Sequence, residues 1–243
     1  MILLIDIGNT NTVCAIHNGQ EYINYERIEL KNTIQKKIKE MSIYDINDIA
    51  ISSVVPELTQ YFITILSKEF NIKPFIISYK NAGLKLKVDS SKEVGNDRLC
   101  NIRAAIALTK KNCLIIDFGT ATTYDVINDK QEFIGGAIAP GIDVSANYLI
   151  KKAALLKNTT FKFPKSVIGT NTSTNIQSGV MFGAINSIEG MISMIQNESE
   201  SELYIILTGG FSQLIASKLS YKYTLKPNLT LDGIKLIHRD NHE

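Results

Sequence analysis

Apolar positions in this chain fall first in short β-branched runs and later at helical spacing. Residues 2–7, Ile-Leu-Leu-Ile-Asp-Ile, stop at Gly8 in the pattern of a buried strand, and residues 12–17 predict a second. Asn18-Gly19 is a hairpin signal because both residue types accept positive φ, and a third strand is expected at 21–28. A helix over 31–41, a strand over 49–55, a helix from Pro56 to about 68 and a strand over 74–78 follow. A further helix begins in Gly95-Asn-Asp-Arg98 and runs to 110.

Much of this order then returns. Strands are expected at 114–117, 122–128 and 131–138, helices at 142–156 and 174–196, a strand at 203–208 and a helix after Gly210. The echo is visible residue by residue, since Ile5-Asp-Ile-Gly-Asn-Thr-Asn-Thr12 aligns with Ile116-Asp-Phe-Gly-Thr-Ala-Thr-Thr123. An internal repeat of this kind predicts two similar lobes, residues 1–110 and 111–243, each led by an Asp-x-Gly hairpin. Alternating strands and helices place both in the α/β class with mixed sheets, and a ligand cleft is expected between them. Within 174–196, Ile176, Val180, Ile188, Ile192 and Ile195 recur at helical spacing beside the small Gly179 and Gly183. That face suits either core packing or a dimer contact.

A length of 243 residues with 44% hydrophobic content suffices for two modest cores. The 26 basic and 24 acidic residues are interspersed, so no basic stripe points to a nucleic-acid partner. Cys14, Cys100 and Cys113 lie far apart without C-x-x-C spacing, which favours buried thiols in a reducing compartment over a disulfide frame or a zinc site. The amino-terminal apolar run meets a charge at Asp6, too early for a signal peptide or membrane span, and no other run is expected to reach spanning length. A cytoplasmic protein with no membrane partner is the expectation.

Candidate chemistry gathers at the glycine turns. After Asp6 the chain turns at Gly8 and offers backbone amides with the side chains of Thr10, Asn11 and Thr12, a concavity suited to phosphate oxygens. Asp6 repels phosphate directly, so its role there requires Mg²⁺ between the two anions; the alternative is an ordinary hairpin with an Asx-turn aspartate. The second copy offers Asp117 for a cation and Gly119, Thr120, Thr122 and Thr123 for a polyphosphate. A third turn, Thr208-Gly-Gly-Phe211, leaves side-chain-free backbone against which an adenine can lie. Asp97 and Arg98 either cap a helix or, facing a ligand, accept a hydroxyl proton and pair with a carboxylate.

Asp6-x-Gly-Asn-Thr, Gly95-x-Asp-Arg98, Asp117-Phe-Gly-Thr-Ala-Thr, Gly135-Gly-x-Ile-x-Pro-Gly141, Gly169-Thr-Asn-Thr172 with Ser178-Gly179, and Thr208-Gly-Gly210 occur in one order. In that order they resemble the type III pantothenate kinases, over nearly the whole chain to the tail at Leu229-Thr-Leu-Asp-Gly233. The resemblance implies two duplicated ribonuclease H-like, actin-like lobes. It implies ATP contacts at Asp6, Ile7, Gly8, Asn9, Thr10, Asn11, Thr12, Val13 and Thr120, with Mg²⁺ near Asp6. It implies pantothenate contacts at Gly95, Asn96, Asp97, Arg98 and Thr172, with Asp97 as proton acceptor, and a potassium or ammonium ion at Asp117. The implied reaction phosphorylates pantothenate to 4'-phosphopantothenate, the first step of coenzyme A biosynthesis, in a homodimer with its substrate pocket near the subunit contact.

Two positions depart from the family pattern. Asn96 stands where Ala is common, and Val88 where a substrate-contacting Tyr often stands. Another actin-like metabolite kinase, or an ATP-binding regulatory protein resembling Bvg accessory factor, are the alternative readings.

Overall fold

The computed structural model describes residues 1–29, 33–152 and 162–242. The chain forms two compact units, Met1–Leu108 with Asn228–Glu243, and Thr109–Pro227.

The first unit opens with strands β1 (Ile2–Ile7), β2 (Thr12–His17) and β3 (Tyr22–Ile28). Helix α1 (Ile34–Met41), strand β4 (Asp48–Ser53), helix α2 (Pro56–Phe70), short strands β5 (Phe75–Ile76) and β6 (Lys85–Leu86), and helix α3 (Asn96–Leu108) follow. A five-stranded sheet runs β3-β2-β1-β4-β5, antiparallel across β1, β2 and β3 and parallel from β1 to β4 to β5. The Asn18 carboxamide accepts from the amides of Gln20 and Glu21, and Gly19 takes φ of 102°, so the predicted hairpin turn forms. Pro56 occupies the first turn of α2, where a missing N–H costs nothing, and left-handed Asn71 closes that helix.

Strand alternation divides the β1 side chains between two faces. Leu3, Ile5 and Ile7 join Cys14, Ile16, Ile49 and Ile51 under Ile34, Ile38, Phe62 and Leu66 of α1 and α2. Leu4, Asp6, Ala50 and Ser52 occupy the alternate positions, on the other face.

The second unit repeats the plan. Strands β7 (Cys113–Phe118), β8 (Ala121–Ile127) and β9 (Glu132–Pro140) form an antiparallel set. Helices α4 (Ile142–Lys152) and α5 (Thr172–Glu198) precede β10 (Tyr204–Thr208), α6 (Ser212–Ala216) and β11 (Tyr223–Leu225). The strands run β11-β10-β7-β8-β9, with β10 parallel to β7 and β11 parallel to β10, which matches the first unit strand for strand. Gly136 lets β9 pass β8 closely: a Cβ there would lie 1.7 Å from the Tyr124 carbonyl oxygen. The expected residues 153–156 of the helix begun at Ile142 lie outside the described residues.

Helix α5 begins two residues before the predicted start because Asn171 and Thr174 form a reciprocal capping box. Its 27 residues make it the one helix among the described residues that is long and apolar enough to cross a membrane by length and composition, contrary to the sequence expectation. Met181, Ile185, Ile188 and Ile192 nevertheless pack it against Leu114, Ile116, Ile205 and Leu207 of the sheet, as in the core helix of a globular unit.

The last helix, α7 (Leu229–His242), departs from the expected division at 111–243, because it belongs to the first unit. It packs on α3 and on the β1 and β4 face that α1 and α2 leave open. Gly233 is the crossing point: a Cβ there would lie 1.9 Å from the Cys100 carbonyl oxygen, so only glycine permits this approach.

Candidate active site

At the first Asp-x-Gly turn, the Gly8 amide donates to the Asn11 carbonyl over 3.0 Å and closes the bend between β1 and β2. Asn9 and Thr10 are exposed and Gly8, Asn11 and Val13 half-buried, whereas Ile7 and Thr12 are buried. The exposed part of the turn is therefore Asn9 and Thr10. Asp6 stands just below it. Its Oδ1 accepts from the Ser52 hydroxyl at 2.9 Å, and Ser52, fully buried on β4, faces it in parallel register.

The neighbouring strand end also fixes the start of α3. Asn96 Nδ2 donates to the Ser53 carbonyl over 2.9 Å, so this departure from the family pattern ties helix to strand. Asp97, the next residue, is half-buried and accepts from the Arg98 amide at 2.8 Å through Oδ1. Burial raises the Asp97 carboxyl above the usual carboxylate range, with the Arg98 amide and guanidinium opposing that rise. Gly95 makes room for it, since a Cβ at this position would lie 2.5 Å from Asp97 Oδ1. Beneath both carboxylates lies the Cys100 thiol, fully buried and held well above its ordinary pKa, chiefly by burial and next by the charge of Asp6. Asp6, Ser52, Asn96, Asp97 and Cys100 thus share one end of the first unit.

In the second unit, the Gly119 amide donates to the Ala121 carbonyl at 3.0 Å, closing a bend one residue shorter than the one at Gly8. Thr120 is exposed at its tip and Thr122 buried, as Thr10 and Thr12 are in the first copy. Two glycines press on this turn. Gly141 donates its amide to the Thr120 carbonyl at 3.1 Å, and a Cβ on it would lie 2.3 Å from that same oxygen. Gly209, at φ of 87°, passes so close to Asp117 that a Cβ would meet Oδ1 at 2.3 Å. The Thr208-Gly-Gly turn is therefore packed over the Asp117 carboxylate, a constraint between parallel neighbours β7 and β10. Thr172 stands at the start of α5, where with Ser145, Asn175, Gly179, Gly183 and Pro140, the strand partner of Ala121, it lines a groove of about 610 Å³.

Among the described residues no group of three or more His, Cys, Asp or Glu side chains is placed to cage a metal ion. A single carboxylate at Asp6 beside the Gly8 turn fits Mg²⁺ held mainly by phosphate oxygens and water, the usual habit of that ion. Sequence reasoning missed Ser52 and Cys100. Ser52 left a trace, a polar pair that follows the apolar Ile49-Ala50-Ile51 in β4, but its partner is 46 positions away.

Two duplicated mixed sheets of this topology form the actin-like fold, which the structural comparisons bear out. Across 99% of the chain it is similar in fold to 96% of MreB5 of Spiroplasma citri bound to ADP, with TM-score 0.54 and 12% identity. It matches a Campylobacter jejuni protein described as a Baf family transcriptional activator at TM-score 0.64 and 20% identity, over 98% of both chains. The chain belongs to the type III pantothenate kinase family, whose model matches residues 2–194. It is 37% identical over 253 aligned residues to the type III pantothenate kinase of Halalkalibacterium halodurans, covering 99% of this chain and all of that one.

Proposed function

We propose that this chain transfers the γ-phosphoryl group of ATP to the primary hydroxyl of pantothenate, giving 4'-phosphopantothenate and ADP at the start of coenzyme A synthesis. The observation that carries this reading is the full-length kinship with pantothenate kinases, combined with Gly95-x-Asp97-Arg98 intact at the start of α3. Phosphoryl transfer draws most of its catalysis from positioning and charge neutralisation. The backbone from Gly8 to Asn11 binds phosphate oxygens, with Asp6 to Val13 and Thr120 as the ATP contacts. Mg²⁺ near Asp6, when bound, offsets the triphosphate charge. Asp97 takes the hydroxyl proton as that oxygen attacks the γ-phosphorus and the bond to the ADP oxygen breaks; its raised pKa makes it a stronger base than an exposed carboxylate. Arg98 pairs with the pantothenate carboxylate, and Gly95, Asn96 and Thr172 complete that contact set.

Asp117 holds the potassium or ammonium ion. The groove along Gly179 and Gly183 on α5 is the homodimer contact, and the enzyme works in the cytoplasm. The test is ADP release in a coupled assay with pantothenate and a panel of other hydroxylated acceptors. Pantothenate is expected to be preferred; a different preferred acceptor, or ATP binding without turnover on any acceptor, overturns the assignment.

A further inference from the structure

The first unit carries a polar cavity at the end of its sheet away from the Gly8 turn. There β1 begins and β2 ends, with Ile2 paired to His17, so six residues of strand, roughly 20 Å, separate it from that turn. The cavity, of about 530 Å³, is lined by His17, Asp48, Lys235, His238, Arg239 and His242 among others. The chain has three histidines, and all three are here.

Its inner wall holds an unresolved donor conflict. His17 is only 5% exposed, and its Nδ1 accepts from the Gly19 amide at 3.0 Å. A neutral imidazole accepts at one nitrogen only, so Nε2 cannot accept as well while Nδ1 accepts from Gly19. Yet Nε2 lies 3.0 Å from the Lys235 ammonium, which has only hydrogens to offer. The Asp232 carboxylate, whose charge also reaches His17, receives the Tyr22 hydroxyl at 2.7 Å. Asp48 lies instead beside His238, 3.7 Å from its Nε2. Arg239, whose guanidinium lies 3.8 Å from the Asp240 carboxylate, follows Lys235 by one turn on α7 and lines the same cavity as a second cation.

An oxyanion seated at His17 and Lys235 would give both donors an acceptor, and two full positive charges one turn apart suit a dianion. We infer that this cavity binds a phosphate group, as the free ion or as the end of a phosphomonoester, through His17 Nε2, Lys235 and Arg239. The site is separate from the Gly8 turn and does not depend on which alcohol the enzyme phosphorylates. A phosphorylated metabolite held there sits on α7, the helix that crosses α3 at Cys100.

The imidazole ring signals of the full-length protein report this cavity alone, because every histidine lines it. Titration with inorganic phosphate, and separately with phenyl phosphate, at constant pH is expected to move the His17 ring resonances saturably, while chloride at matched ionic strength does not. A tighter response to the ester identifies a phosphorylated metabolite, and an equal or tighter response to the inorganic ion identifies free phosphate. Lys235→Met and Arg239→Met should each weaken the response at least about tenfold, and Arg239→Met should do so with the ligand-free His17 ring signals retained. Arg239 is exposed, so its replacement serves even if the half-buried Lys235 site tolerates change poorly. Absence of saturation, an equal effect of chloride, or an unchanged response in the variants overturns the inference.

Discussion

The Ser52 hydroxyl donates to Asp6 Oδ1 across 2.9 Å, bridging two parallel strands one residue before they end. Ser52→Ala removes a fully buried donor from the carboxylate beside the proposed phosphate turn. A hydrogen bond to a charged acceptor contributes about 1.5–3 kcal/mol, so KM for ATP is expected to rise at least about tenfold. Steady-state kinetics with each substrate varied in turn checks this, since KM for the acceptor should move much less.

Asp97→Asn preserves the shape of the side chain and removes its basicity. Turnover is expected to fall about 10²-fold or more while ATP affinity, measured by calorimetry, stays near that of the parent protein. Gly95→Ala should act in the same direction, because its Cβ would occupy space 2.5 Å from Asp97 Oδ1 and displace the carboxylate. The pH profile of kcat/KM carries a related signature. A base whose pKa is raised by burial loses activity, as pH falls, at a higher pH than the ordinary 3.8 of an aspartate.

Features carried by consecutive residues were legible from sequence, and those built by distant chain crossings were not. The two Asp-x-Gly hairpins and their flanking strands follow from β-branched runs closed by glycine, and the observed strands match them to within a residue or two at most ends. Helix α7 was read only as a tail around Leu229 to Gly233, since a glycine inside a helix costs about 1 kcal/mol and weakens the pattern. Its reason lies in Cys100, whose backbone fills the place of a side chain. Strands β6 and β11, of two and three residues, are too short to leave a period. The Ser52 to Asp6 bond depends on parallel register between β1 and β4, which no local signal encodes.

Gly233→Ala tests the crossing of α3 and α7. With backbone 1.9 Å from the new Cβ, neither helix can yield by a side-chain rotation, and the loss of stability is expected to reach about 3 kcal/mol or more. Urea unfolding measures it; a variant as stable as the parent would show that the helices are not in this contact.

Stability should also fall on the acid side of neutrality. His17 is held below 6.5 by burial and then by Lys235, and His238 by burial and then by His242. Both bind a proton more readily in the unfolded chain, so their contribution is complete above 6.5 and is lost as pH falls from there through their lowered folded values. Urea midpoints in phosphate-free buffer should therefore decline between about pH 7 and pH 5.5, and less steeply for a His17→Asn, His238→Asn double variant.

Because residues 228–243 complete the first unit while residues 109–227 form the second without interruption, synthesis and closure run in opposite order. A ribosome has released all of the second unit before it supplies the helix that covers β1 and β4, so the earlier-made sheet waits with that face open to solvent. Chaperone contact during translation should concentrate on that waiting sheet, and trimming the last sixteen residues should damage the beginning of the chain more than its middle.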